Sequence, residues 1–302
     1  MPVNFYLDYY YVGVPAIFIA IAVILYGQSV LKRHLGAQTI EKCHEVGSYY
    51  LSMVGTFYAV LLGLIVVDSM TKFKGAQLSV DREVSTLIRI YSSAERFPER
   101  RYRLESDVKN YVDEVINVEF PMMESKDLPD ERARDLALQI MLTVKSIEPV
   151  TENQKAVFPI LLTEVADLLT TRWERTRGPN LGEPPVEWVI LIVGGVLTII
   201  LTFFFTIESN AIHMFMRTVV ALTILMSLYL TLLFSSPFSG DLKISSDAFR
   251  VVYDFAEWSS KQGAQGKLDR QMENPSSHKI ERDLQQPRSI KKPPGSRVTG
   301  PG

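Results

Sequence analysis

The chain has 302 residues, of which 32 are Lys or Arg and 34 are Asp or Glu, for a formal net charge of -2. That balance excludes the strongly basic surface of a nucleic-acid-binding protein, and no nucleic-acid partner is expected. The lone cysteine, Cys43, excludes an intrachain disulfide.

The mean hydropathy, +0.08, is near neutral because polar segments dilute four apolar ones. Residues 9–31, 46–67, 188–207 and 218–240 contain no Asp, Glu, Lys or Arg. Uncharged runs of about 20 residues suit the hydrocarbon core of a bilayer; soluble helices of that length place charges on a solvent face. The expected fold is an all-α membrane protein. It has four transmembrane helices in two pairs and an intervening helical extramembrane domain.

The first run lacks a basic segment before it and a clear small-residue cleavage site, so it reads as a retained helix over about 12–31. Lys32 and Arg33 stop it. A short connection, 32–45, leads to the second span, which ends near Val67. No proline follows, and Val80, Val84, Leu87, Ile88 and Tyr91 repeat at helical spacing. The second helix is therefore expected to run on into the extramembrane domain.

Pro98 opens a new helix whose apolar stripe is Leu104, Val108, Tyr111, Val112, Val115 and Ile116; Pro121 is expected to end it. Ala133, Ala137, Ile140, Val144 and Ile147 form a third stripe. Thr151 and Gln154 fit a capping box before a fourth: Val157, Leu161, Leu162, Val165, Leu168, Leu169 and Trp173. Gly178, Pro179, Gly182, Pro184 and Pro185 join this domain to the third span, which Trp188 opens. After the fourth span come a tight exit turn and a helix capped by Ser246 or Asp247, expected to end near Ser260. The remainder, rich in Lys, Arg, Gln, Ser, Pro and Gly, is expected to be disordered. The organisation is thus 1–67, two spans; 68–185, helical domain; 186–240, two spans; 241–260, post-membrane helix; 261–302, basic tail.

Helix hairpins place the termini and the middle domain on one side. Lys32, Arg33 and Lys42 argue that the first connection is cytoplasmic. Lys72, Lys74, Arg172, Arg175, Arg177, Lys243 and Arg250, with the basic tail, argue for the domain side, and that side is taken as cytoplasmic.

No phosphate loop, nucleophile elbow or zinc-protease motif is present, so an enzyme is not expected, nor is a cofactor. His34, Cys43 and His44, beside Glu41 and Glu45, lack standard zinc spacing, and no metal is expected. Glu208, His213 and Arg217 lie at the second hairpin turn and read either as a charge network or as interface residues.

From the second span onward the sequence resembles a known family. Residues 58–67 read YAVLLGLIVV, with Gly63 in the run, and Phe73, Ala76, Glu83, Leu87 and Tyr91 follow. Later come Pro98, Tyr111 and the run Glu119-Phe120-Pro121-Met122, then Pro237-Phe238-Ser239-Gly240-Asp241. This set is similar to the bestrophin-like family of mainly bacterial four-helix membrane proteins, over about 45–255. Phe120 stands where a tryptophan is expected.

The likeness to bestrophins themselves, pentameric ion channels, is more distant. It implies a homo-oligomer, pentameric by resemblance, in a bacterial inner membrane, with lipid and inorganic ions as its partners. The second helix would line an apolar neck and continue into a helical cytosolic domain. Leu62-Gly63-Leu64 resembles the stretch after the neck of bacterial bestrophins, which puts the neck at Met53, Phe57 and Leu61. Asp68 returns near the Leu61 line and Lys72 follows, giving charge at the pore mouth. The other reading is a non-conducting scaffold or signalling partner that binds a protein through its domain or tail.

Overall fold

The computed structural model describes residues 7–35, 44–125, 130–177, 185–203 and 210–273. Among these the chain is helical, with no strand. In order, the helices are α1 (Tyr10–Leu35), α2 (His44–Ser93), α3 (Pro98–Glu114), a π-helical turn (Val115–Glu119), α4 (Phe120–Glu124), α5 (Glu131–Lys145), α6 (Glu152–Arg177), α7 (Pro185–Thr202), α8 (Asn210–Phe234) and α9 (Asp247–Glu273). Four helices are long and apolar enough to cross a bilayer: α1, α2, α7 and α8.

The 50-residue α2 is the axis of the fold, about 75 Å long at 1.5 Å per residue. Gly75 does not break it. Within the span, α2 packs on α7 and α8, and α8 also packs on α1. Without a hydrophobic drive in lipid, close fit holds such helices together. Tyr58 supplies it here: its hydroxyl donates to Leu191 O at 3.1 Å. The ring lies so close to α7 that a Cβ on Gly194 would stand 2.6 Å from it.

Beyond the span, α2 packs on α6 and α3, α3 on α5, and α5 on α6. The expected stripes form this core: Leu87, Val108, Tyr111, Ile140, Leu161 and Leu168 are fully buried. Burial of each such aliphatic side chain stabilises by about 1.5–3 kcal/mol. Pro98 occupies the first position of α3, where its missing N–H costs nothing. The capping box is formed as expected: Gln154 N donates to Thr151 Oγ1 at 3.2 Å, and Thr151 N to Gln154 Oε1 at 3.1 Å.

Three boundaries differ from expectation. Pro121 does not end its helix, which continues to Glu124. The preceding π turn widens the backbone, Phe120 N bonding back five residues to Val115 O, and the proline ring is accommodated. The backbone of α1 passes Lys32 and Arg33 to Leu35, because charge ends a membrane span and not a helix. Helix α9 runs to Glu273 and not to Ser260; the rest of the tail lies outside the described residues. The chain divides into two compact units, Met1–Tyr253 and Asp254–Gly302. The described part of the second is the C-terminal portion of α9.

Candidate functional site

Of the resemblance residues, Glu83, Tyr111 and Glu119 gather where α2, α3, the π turn and the last turns of α6 meet. Glu83 comes from α2, Glu119 from the π turn, and Arg172 and Arg175 from α6; Glu83, Glu119 and Arg175 are wholly buried. Arg175 Nε donates to Glu83 Oε2 at 2.7 Å and Nη2 to Glu83 Oε1 at 3.1 Å. The same Nη2 reaches Glu119 Oε2 at 2.7 Å. Arg172 Nη2 donates to Glu119 Oε1 and to Asp130 O. Tyr111 OH donates to Glu83 Oε1. Two carboxylates and two guanidiniums cancel, which is how buried charge is tolerated.

An aromatic shell closes the cluster. The Arg175 guanidinium lies 5.4 Å from the Phe120 ring centre and 5.6 Å from that of Phe249. Phe120 in turn meets Phe238 of the exit turn edge-on at 5.7 Å. Burial opposes the charge on Arg175, but Glu83 and Glu119 outweigh it and hold the guanidinium well above its ordinary range. Burial first, and the Glu83 charge second, push the Tyr111 phenol well up, so it stays a neutral donor.

Sequence reading missed both arginines as members of this cluster and counted them as basic flanks of the membrane. The signal was present: Arg175 falls seven residues after Leu168 and Arg172 seven after Val165, on the apolar stripe of α6. A charge on a buried stripe demands a buried partner.

The exit turn holds the N-terminal end of α1. Gly240 adopts φ 77°, and a Cβ there would stand 2.6 Å from Asp8 O. Ser239 Oγ donates to Asp8 Oδ2 at 3.1 Å, and Tyr10 N donates to Asp241 Oδ2 at 2.6 Å. Asp241 thus caps α1 from 231 residues away. Pro237 O accepts from Ile244 N at 2.8 Å, closing the turn. Of the other resemblance residues, Phe73 packs on Phe234 at 5.6 Å and Tyr91 is buried under Lys109. Gly63 faces open space.

The residues expected to form a neck lie elsewhere, on the face of α2 turned away from its own bundle. Met53 is 62% exposed, Phe57 71% and Leu64 66%, whereas Leu61 is 36% exposed. Leu61 and Leu64 are three residues apart, about 60° around the helix. The Met53, Phe57, Leu61 stripe therefore starts at the middle of the open face and drifts to its edge. Val60 and Leu64 stay near the middle. Below them Asp68 and Lys72 pair with each other at 2.7 Å, both half exposed.

At the other end of the bundle, Arg217 is buried. Its Nε donates to Thr202 O at 3.1 Å and Nη2 to Phe203 O at 3.2 Å. A cation there caps the negative end of α7. Glu208 and Cys43, and the side chains of His34, His44 and His213, lie outside the described residues. Among the described residues no group of three His, Cys, Asp or Glu side chains could hold a metal.

No curated protein matches the sequence significantly. Two crystal structures share the fold. One is a bacterial bestrophin homologue from Klebsiella pneumoniae carrying a point mutation. It superimposes with a TM-score of 0.61 at 14% identity, over 80% of this chain and 98% of that one. The other is a membrane protein carrying a point mutation, with a TM-score of 0.59 at 13% identity, over 79% of this chain and 98% of that one. The Bestrophin-like domain matches residues 17–249. With four apolar spans, that fold and that match over most of its length, the chain is an integral membrane protein and belongs to the bestrophin-like family.

Proposed function

We propose that this protein is a homo-oligomeric ion channel whose lumen is lined by the open face of α2. The observation that carries the reading is the exposed apolar row Met53, Phe57, Val60 and Leu64, opposite the face that Tyr58 and Leu62 bury. The apolar runs of the four spans carry no Asp, Glu, Lys or Arg, so one subunit offers no charged pathway and a pore requires several copies around an axis. The number five comes from the resemblance to bestrophins alone. In this reading Met53, Phe57, Val60 and Leu64 form the neck, with Leu61 at its edge, and Asp68 and Lys72 stand at the mouth. An apolar ring of this kind gates by dewetting.

The helical domain and both termini are placed in the cytoplasm, at the bacterial inner membrane. Arg172 and Arg175 are neutralised inside the protein, so Lys72, Lys74, Arg177, Lys243 and Arg250 supply the positive flank on that side.

A scaffold reading has one observation in its favour. A cleft of about 460 Å³ between α2 and α6 is lined by Arg82, Arg89, Asp167 and Glu174, and Trp173 is exposed on the same helix. Mass of the detergent-solubilised protein, corrected for bound detergent, and ion flux in liposomes separate the two. A multimer that conducts supports the channel. A monomer that also fails to crosslink in native membranes sinks it.

A further inference from the structure

We infer that the buried ion cluster sets the rotation of α2 about its own axis, and so decides from the extramembrane domain which side chains point away from the bundle in the span. The inference rests on the channel reading only for its effect on flux.

Three features carry it. First, α2 is one unbroken helix from His44 to Ser93, so a torque applied at Glu83 reaches Leu64, about 29 Å away, without a hinge. Second, the grip at Glu83 is directional. Both oxygens of its carboxylate are held by the planar Arg175 guanidinium at 2.7 and 3.1 Å, and Tyr111 adds a third bond from α3. A bidentate pair fixes orientation as well as distance. Third, Arg175 packs against the Phe120 and Phe249 rings, which themselves meet edge-on at 5.7 Å, and Phe120 touches Phe238 of the turn that leaves α8. The side chains at the centre of the cluster therefore belong to α2, α3, α6 and the segments that follow α3 and α8.

The sensitivity of the span to rotation is read from its own geometry. Phe57 and Leu64 lie on one line, and Leu61 lies about 60° from Leu64. A turn of α2 by about 60° would exchange Leu64 for Leu61 on the open face, and a smaller one would shift the balance between them. The π turn supports the same assignment. The wider turn at 115–119 precedes Pro121 and leaves Glu119 in place to hold both Arg172 and Arg175. Such turns recur at working sites of helices.

The test uses the full chain in liposomes, with Cys43→Ser as background and single nitroxide labels at Phe57→Cys, Val60→Cys, Leu61→Cys and Leu64→Cys. Collision with oxygen and with a water-soluble nickel chelate reports each label's surroundings whether or not the protein conducts. The labels are compared in the parent, in Glu83→Gln/Arg175→Gln, which removes both charges together, and in Arg175→Lys, which keeps the charge but lacks the planar fork that grips both oxygens of Glu83. The expected result is a shift in the phase of the accessibility pattern in both variants, with the ratio of Leu64 to Leu61 accessibility changing severalfold. An unchanged pattern in folded variants overturns the inference and leaves the channel reading untouched. Absence of conductance in the parent overturns the channel reading and leaves this one standing.

Discussion

Arg175 and Glu83, 92 residues apart in the chain, meet as a wholly buried bidentate pair with Nε–Oε2 at 2.7 Å. The pair closes the corner between the longest helix and the helix that leads back to the membrane. Neither residue can be removed alone without leaving a charge in a dry site. Arg175→Ala should destabilise the protein by about 3–5 kcal/mol. Arg172→Ala should cost less, because that guanidinium is slightly exposed. Thermal unfolding in detergent measures both. Equal and small effects would mean that water reaches the cluster.

Tyr111→Phe isolates one donor of the same cluster. Losing a buried hydrogen bond to a carboxylate should cost about 1.5–3 kcal/mol. A pH signature accompanies it. The folded phenol holds its proton well above its ordinary range, chiefly through burial. The unfolded phenol releases its proton near pH 10. Above that pH the unfolded state therefore gains by ionising where the native state does not, and stability falls as pH rises. This contribution is complete below about pH 10 and is lost above it. The phenylalanine variant should show a shallower loss between about pH 10 and 11. An identical alkaline slope in both proteins would sink the assignment.

The exit turn permits a contrast between backbone and charge. Gly240→Ala must adopt a left-handed conformation, which costs about 1–2 kcal/mol before the contact with Asp8 is counted. That contact, 2.6 Å from a carbonyl oxygen, raises the cost further. Asp241→Asn keeps the shape and an acceptor for Tyr10 N, and should cost less than the glycine variant. Limited proteolysis at the N-terminus reports the release of α1. If Gly240→Ala leaves both stability and proteolysis unchanged, the turn is not what holds that helix end.

Much of this fold was legible in the sequence, because hydrophobic periodicity is a local property. Val84 and Leu87 predicted that α2 leaves the membrane without stopping, and Thr151 with Gln154 predicted the start of α6. What could not be read locally was partnership. Glu83 and Glu119 stand out through the resemblance alone and Tyr111 through its apolar stripe as well, while the charge of Arg175 assigns it wrongly to the membrane surface. No nearby residue signals that an arginine 92 positions away will face Glu83. Pro121 misled for a related reason. A proline forbids one hydrogen bond, but a π turn just before it let the helix continue. Met53, Phe57 and Leu61 are legible in the sequence only as a stripe. Its drift across the open face required knowing which side Tyr58 and Leu62 bury.

That drift gives the sharpest prediction about conduction. If the lumen lies opposite the bundle, the narrowest apolar ring is built by residues at the middle of the open face. Leu64→Ala and Phe57→Ala should then raise ion flux in liposomes more than Leu61→Ala does, because widening an apolar constriction lowers its dewetting barrier. Stability should change little in all three, since exposed side chains leave no packed cavity when shortened. A charge at the same place should also lower the barrier, and should add selectivity that a cavity does not. Leu64→Lys should wet the ring and favour anions, which a reversal potential under a salt gradient would detect. If Leu61→Ala has the largest effect and Leu64→Ala none, α2 in the oligomer is turned toward the Asp68 line. In that case the stripe Met53, Phe57 and Leu61 is the neck as first read from the sequence.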